Sequence, residues 1–159
     1  MALTKGVNSY VDVVEASAYF VDRLDVAAWE GASDTDKAKA LVTATSLLDS
    51  LVWIGVAVSE TQPLAFPRKG SFFDPRLGFE VAFDSVGTPP RIVTATYELA
   101  YHLLNNDGLL DETGSVDSLS IGSISLTNVR NASWLSPTVD RLIRPMRALA
   151  NKNAWWRAN

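Results

Sequence analysis

The 159-residue chain has no cysteine. Disulfides and thiolate metal sites are thereby excluded, and stability has to come from packing, with assembly as a further source open to the chain. Its longest uninterrupted apolar or glycine run, Leu51 to Val58, is far short of the roughly 20 residues that cross a bilayer. The N-terminus lacks the basic-then-apolar pattern of a signal peptide. A soluble protein with no membrane partner, compatible with a reducing cytoplasm, is expected. There is one histidine. The phosphate-cradling GxxxxGK[ST], the dinucleotide GxGxxG, HExxH and the EF-hand loop are all missing, as are internal repeats and low-complexity tracts. No cofactor, no metal site and no catalytic residues are expected, so the chain reads as a non-enzyme.

What is present is apolar and unevenly charged. Hydrophobic residues make up 47% of the chain, with five Trp and six Phe, enough for the packed core of one ordinary domain. Net charge is −4, but it is split. Residues 129–159 carry six basic side chains against one acid, and residues 1–128 carry eight against seventeen. An acidic body with a basic arm describes a chain that grips another macromolecule.

Apolar spacing predicts a first helix over Glu15 to Leu24, after an extended Tyr10 to Val14, and a short turn closing at Trp29. Ser33-Asp34-Thr35-Asp36 can cap a longer helix running to about Trp53, with Leu41, Ala44, Leu48 and Leu51 inward. Residues 56–90 read as a long aromatic loop, because Pro63, Pro67, Gly70, Pro75 and Gly78 interrupt any helix while Phe66, Phe72, Phe73, Phe79 and Phe83 recur between them. Thr88-Pro89-Pro90 opens another helix, with Ile92, Thr96, Leu99 and Leu103 on one face, which stops at Asn105-Asn106-Asp107-Gly108. The alternation Leu119 to Leu126 predicts either a hairpin turning at Gly122-Ser123, pairing Leu119 with Leu126 and Ile121 with Ile124, or one bulged strand. Ser136-Pro137 opens a last helix with Val139, Leu142, Ile143, Met146 and Leu149 on one side and Arg141, Arg144 and Arg147 on the other, broken near Pro145. The expected fold is mainly α: a small helical bundle with a short β strand or hairpin and extended loop and C-terminal arms. Residues 1–135 form the helical core domain, with the aromatic loop at about 56–90 and the β segment at about 116–127. Residues 136–159 form a basic C-terminal helix and docking arm.

Chemistry is sparse. Glu98 and His102, four apart on one helix, could share a proton, but no nucleophile or second ligand accompanies them, so they read as a solvated or interface pair. Asp107, Asp111 and Glu112 match no cation cage and read as a solvated turn. The adjacent Trp155 and Trp156, with Lys152 and Arg157 beside them, admit three roles: folding back on the core, anchoring in a neighbouring subunit, or stacking on nucleic-acid bases.

The segment order Glu15-Ala16, Tyr19-Phe20, Trp29, Leu48-Asp49, Trp53-Ile54-Gly55, Gln62-Pro63-Leu64-Ala65-Phe66-Pro67-Arg68, Pro90-Arg91-Ile92, Glu98-Leu99-Ala100, Ile121-Gly122-Ser123-Ile124 and Val139-Asp140-Arg141-Leu142-Ile143-Arg144-Pro145 resembles the head-to-tail connector (adaptor, head-completion) proteins of tailed bacteriophages. Some relatives of that group are labelled DnaT-like single-stranded-DNA-binding proteins. The resemblance implies a structural virion protein at the head-tail junction, assembled in the host cytoplasm. It would form a homo-oligomeric, usually dodecameric ring that joins the portal protein to a tail or tail-completion protein and lets genomic double-stranded DNA pass without sequence recognition. It also implies that Arg141, Arg144, Arg147, Lys152, Trp155, Trp156 and Arg157 dock on the portal, and that Phe66, Arg68, Phe72, Phe73 and Phe79 form a subunit or tail contact loop. The alternative is a single-stranded-DNA-binding or replication accessory protein in which Trp155 and Trp156 stack on bases.

Overall fold

The computed structural model describes residues 2–105, 118–121, 124–127 and 135–148. Helix α1 (Val13–Val21) starts at Asp12, which accepts the Glu15 amide while the Glu15 carboxylate accepts the Asp12 amide, a reciprocal capping box. A short α2 (Ala27–Gly31) buries Trp29 against Phe20, ring centroids 4.7 Å apart. Helix α3 (Asp34–Asp49) is capped by Ser33, whose hydroxyl accepts the Asp36 amide. It ends four residues short of Trp53, which turns back so that its indole donates to the Leu48 carbonyl at 3.1 Å.

The segment expected to be a loop is where the fold departs most from the helical bundle. It contains four strands, β1 (Val56–Ala57), β2 (Arg68–Lys69), β3 (Ser71–Asp74) and β4 (Phe79–Ala82), paired as two antiparallel ribbons, β1 with β2 and β3 with β4. A third ribbon joins β5 (Ser118–Ile121) to β6 (Ile124–Thr127), with Leu119 opposite Leu126 and Ile121 opposite Ile124, the expected hairpin register. The described residues therefore form a mixed α/β structure of helices and three two-stranded antiparallel sheets, which corrects the mainly α expectation. The physical reason is the glycines. Gly55, Gly70 and Gly78 take φ of +77°, +126° and +78°, and these left-handed positions let short strands turn back on themselves where the prolines forbid helix.

The core centres on α4 (Pro90–Asn105), nine of whose residues are buried. It packs against α3 through Leu41, Ala44 and Leu48 and against α5 (Pro137–Ile143) through Val139 and Ile143, all without exposed surface. Each such leucine or isoleucine contributes about 1.5–3 kcal/mol on leaving water. Helix α5 stops at Ile143, and Arg144–Met146 form one 3-10 turn containing Pro145. The chain then pairs with the segment that follows α3: Ile54 donates to the Met146 carbonyl and Ala148 to the Val52 carbonyl, both at 2.9 Å. Residues 136–148 thus belong to the core. The expected Leu149 and the segment 151–159 lie outside the described residues.

Candidate nucleic-acid interface

The five phenylalanines of residues 56–90 separate into two groups. Phe66 and Phe83 are buried, and Phe66 lies edge-on to Trp53 (5.1 Å), Tyr10 (6.2 Å) and Phe83 (5.9 Å). Phe72 packs on Phe83 at 5.0 Å and is also buried. Phe73 and Phe79, by contrast, are 54% and 58% exposed. The pairing of Phe73 with Glu80 and of Asp74 with Phe79 puts the two exposed rings on opposite faces of the β3–β4 ribbon, close to its tip.

That tip is built by Asp74. Its backbone carbonyl accepts the amides of Leu77 (3.1 Å) and Gly78 (2.8 Å), and its side chain accepts the Arg76 amide at 2.9 Å. The Arg91 guanidinium of α4 donates to the same carboxylate at 2.8 Å, fastening the ribbon to the core. The Arg76 amide, reinforced by the Arg91 charge, holds the Asp74 carboxyl below its usual range. Between ribbon, the start of α4 and Leu142 of α5 lies a groove of about 540 Å³, walled by Phe72, Leu77, Val81, Phe83 and Pro90 with Arg76 at its edge. The tip therefore presents Phe73, Arg76 and Phe79 outward, fastened to the core through Asp74 and Arg91, with Lys69 exposed on the neighbouring ribbon.

Arg68 serves another purpose. Its Nε donates to the Ile54 carbonyl (2.9 Å), its Nη1 to Ala65 (3.2 Å) and its Nη2 to Gly55 (2.6 Å) and Trp53 (3.4 Å). The guanidinium is committed to its own chain. On α5, Arg144 and Arg147 both pair with Asp140, while Arg141 is exposed and makes no ion pair among the described residues. Lys152, Trp155, Trp156 and Arg157 lie outside the described residues.

The Glu98 carboxylate, a candidate proton partner of His102, is 7% exposed and accepts from the Tyr19 hydroxyl and from Arg23, both at 2.7 Å. Burial, followed by this bond to Glu98, pushes the Tyr19 phenol up to about 12. Glu98 is thus a tie between α1 and α4. Sequence reasoning missed Arg76, although a cation between two aromatic strand ends is a legible signal.

A family model described as "Putative DnaT-like ssDNA binding protein" matches residues 2–157, and the chain belongs to that family. No curated protein and no solved structure matches it. The match overturns the head-to-tail adaptor role implied by the connector resemblance: the family spanning the chain is the DnaT-like one, which agrees with the alternative of single-stranded-DNA binding.

Proposed function

We propose that the protein binds single-stranded DNA without acting on it chemically, with the strand passing over the β3–β4 tip. The family match across residues 2–157 carries this reading, and the exposed rings of Phe73 and Phe79, with the exposed Arg76 between them in the turn, support it, Lys69 being exposed at the far end of β3. Every base has a π-face, so stacking on two phenylalanines is sequence-tolerant, and the cations take phosphates. The acidic body limits phosphate attraction, so stacking supplies most of the affinity. With two or three phosphate contacts, log K against log salt should have a slope of about −2.

The test is fluorescence anisotropy of a labelled oligonucleotide. Stacking is worth about 1–3 kcal/mol per base, so Phe73→Ala or Phe79→Ala should each weaken binding roughly 5- to 150-fold, with circular dichroism unchanged because both rings are exposed. Wild-type affinity in both variants removes the tip from the interface. Absence of any oligonucleotide binding by the wild type removes the function.

A further inference from the structure

The outward face of α1 is apolar where a solvated helix would be polar. Val14, Ala18 and Val21, spaced i, i+4 and i+7, form one stripe. Val14 is 78% and Val21 81% exposed, and Leu24, just beyond the helix, is 92% exposed. Directly after the stripe's C-terminal end come Asp22 and Asp25, both exposed and neither in an ion pair among the described residues. The nearest cation in sequence, Arg23, is held by Glu98. The surface is an apolar strip with an uncompensated acidic rim, and its complement is an aromatic segment rich in cations and free of acids. This chain carries one: residues 149–159 contain Lys152, Trp155, Trp156 and Arg157 and no Asp or Glu.

We propose that the α1 face docks the C-terminal segment of a second copy of this chain. A second copy fits better than the chain's own end because of where the described chain finishes. Ala148 is tied to Val52, beyond the C-terminal end of α3. The Val21 and Leu24 end of α1 lies by the opposite end of α3, since Phe20 packs on Trp29 and Lys37 lies 5.7 Å over the Trp29 ring. Sixteen helical residues span about 24 Å. Trp155 follows Ala148 by seven residues, at most about 25 Å when fully extended. The chain's own tail would reach only with no slack, whereas a neighbour's tail has no such limit. The tryptophans supply the apolar anchor, and Lys152 and Arg157 meet the carboxylate rim.

The experiment is sedimentation velocity on the full-length chain across a concentration series, for wild type, Val21→Glu, and the double variant Trp155→Ala/Trp156→Ala. Val21 is exposed, so Val21→Glu should fold normally, which circular dichroism checks. The wild type should associate with rising concentration, and both variants should raise the dissociation constant at least tenfold. A labelled peptide of residues 149–159 should bind wild type and not Val21→Glu. A wild type that stays monomeric at every concentration, or association that survives in either variant, overturns the proposal. Oligonucleotide affinity is scored separately, so failure of this contact leaves the DNA reading standing.

Discussion

Replacing Arg68 by Met removes the guanidinium that gathers four carbonyls from residues 53–55 and 65, keeping most of the side chain's apolar length. Two of its contacts are short, 2.6 Å to Gly55 and 2.9 Å to Ile54, and two are longer, 3.2 and 3.4 Å. A hydrogen bond to a charged group contributes about 1.5–3 kcal/mol. Counting the two short ones, and discounting because the site is half-exposed and water can replace part of the loss, the cost comes to about 2–4 kcal/mol. That is a large share of the roughly 5–15 kcal/mol by which domains are stable. At about 2–4 °C per kcal/mol for a chain of this size, the Tm should fall by about 5–15 °C. Urea denaturation should show a lower midpoint with unchanged slope. Arg68→Lys should recover little, because one ammonium cannot reach four carbonyls in a plane. Oligonucleotide affinity, measured well below the variant's melting temperature, should stay within twofold of wild type, since the group faces its own chain. A loss below about 1 kcal/mol, or full stability in Arg68→Lys, refutes the reading of Arg68 as an internal clamp. A selective loss of DNA binding would make it an interface residue after all.

Asp49, which accepts a hydrogen bond from the Tyr10 hydroxyl, has its carboxyl raised by burial. Its stabilising contribution is therefore full below the unfolded value of about 3.9 and is lost as pH rises through the folded value. Asp49→Asn keeps an acceptor for Tyr10 and should equal or exceed wild type in urea denaturation at neutral pH. A variant weaker at neutral pH, with the gap closing on acidification, contradicts the raised carboxyl. Gly55→Ala should be severe, because φ is +77° and an added Cβ would sit 2.2 Å from the Lys69 carbonyl oxygen. The left-handed backbone alone costs about 1–2 kcal/mol, and amide exchange in residues 56–58 should accelerate; unchanged exchange there refutes the close crossing of β1 and β2.

The elements most readable in advance are those whose determinants are local. The start of α4 follows from Pro89-Pro90 and its course from a continuous helical period, and the helix spans Pro90–Asn105, while the expected stop at 106–108 lies outside the described residues. The β5–β6 register, Leu119 opposite Leu126 and Ile121 opposite Ile124, is the one offered by the hairpin reading of the alternation, in place of the single bulged strand. The pairing of Arg144 and Arg147 with Asp140 is also local, four and seven residues apart, but the reading of α5 as a one-sided basic stripe passed over it. The ribbons within 56–90 were not readable that way. Strands of two to four residues carry too little alternation to register against a background of prolines, and their pairing depends on glycine conformations that no periodicity reports.

Sequence alone determined the helical periods, the absence of cysteine chemistry, and the division between an acidic body and a basic end, all properties of residue order and type. Tertiary structure decided which phenylalanines are core and which are surface, because Phe66, Phe72, Phe73, Phe79 and Phe83 are chemically alike until strand register assigns each a side. It also decided that Arg68 and Glu98 are internal ties, since their partners lie at distant positions that only the folded chain brings within hydrogen-bond reach.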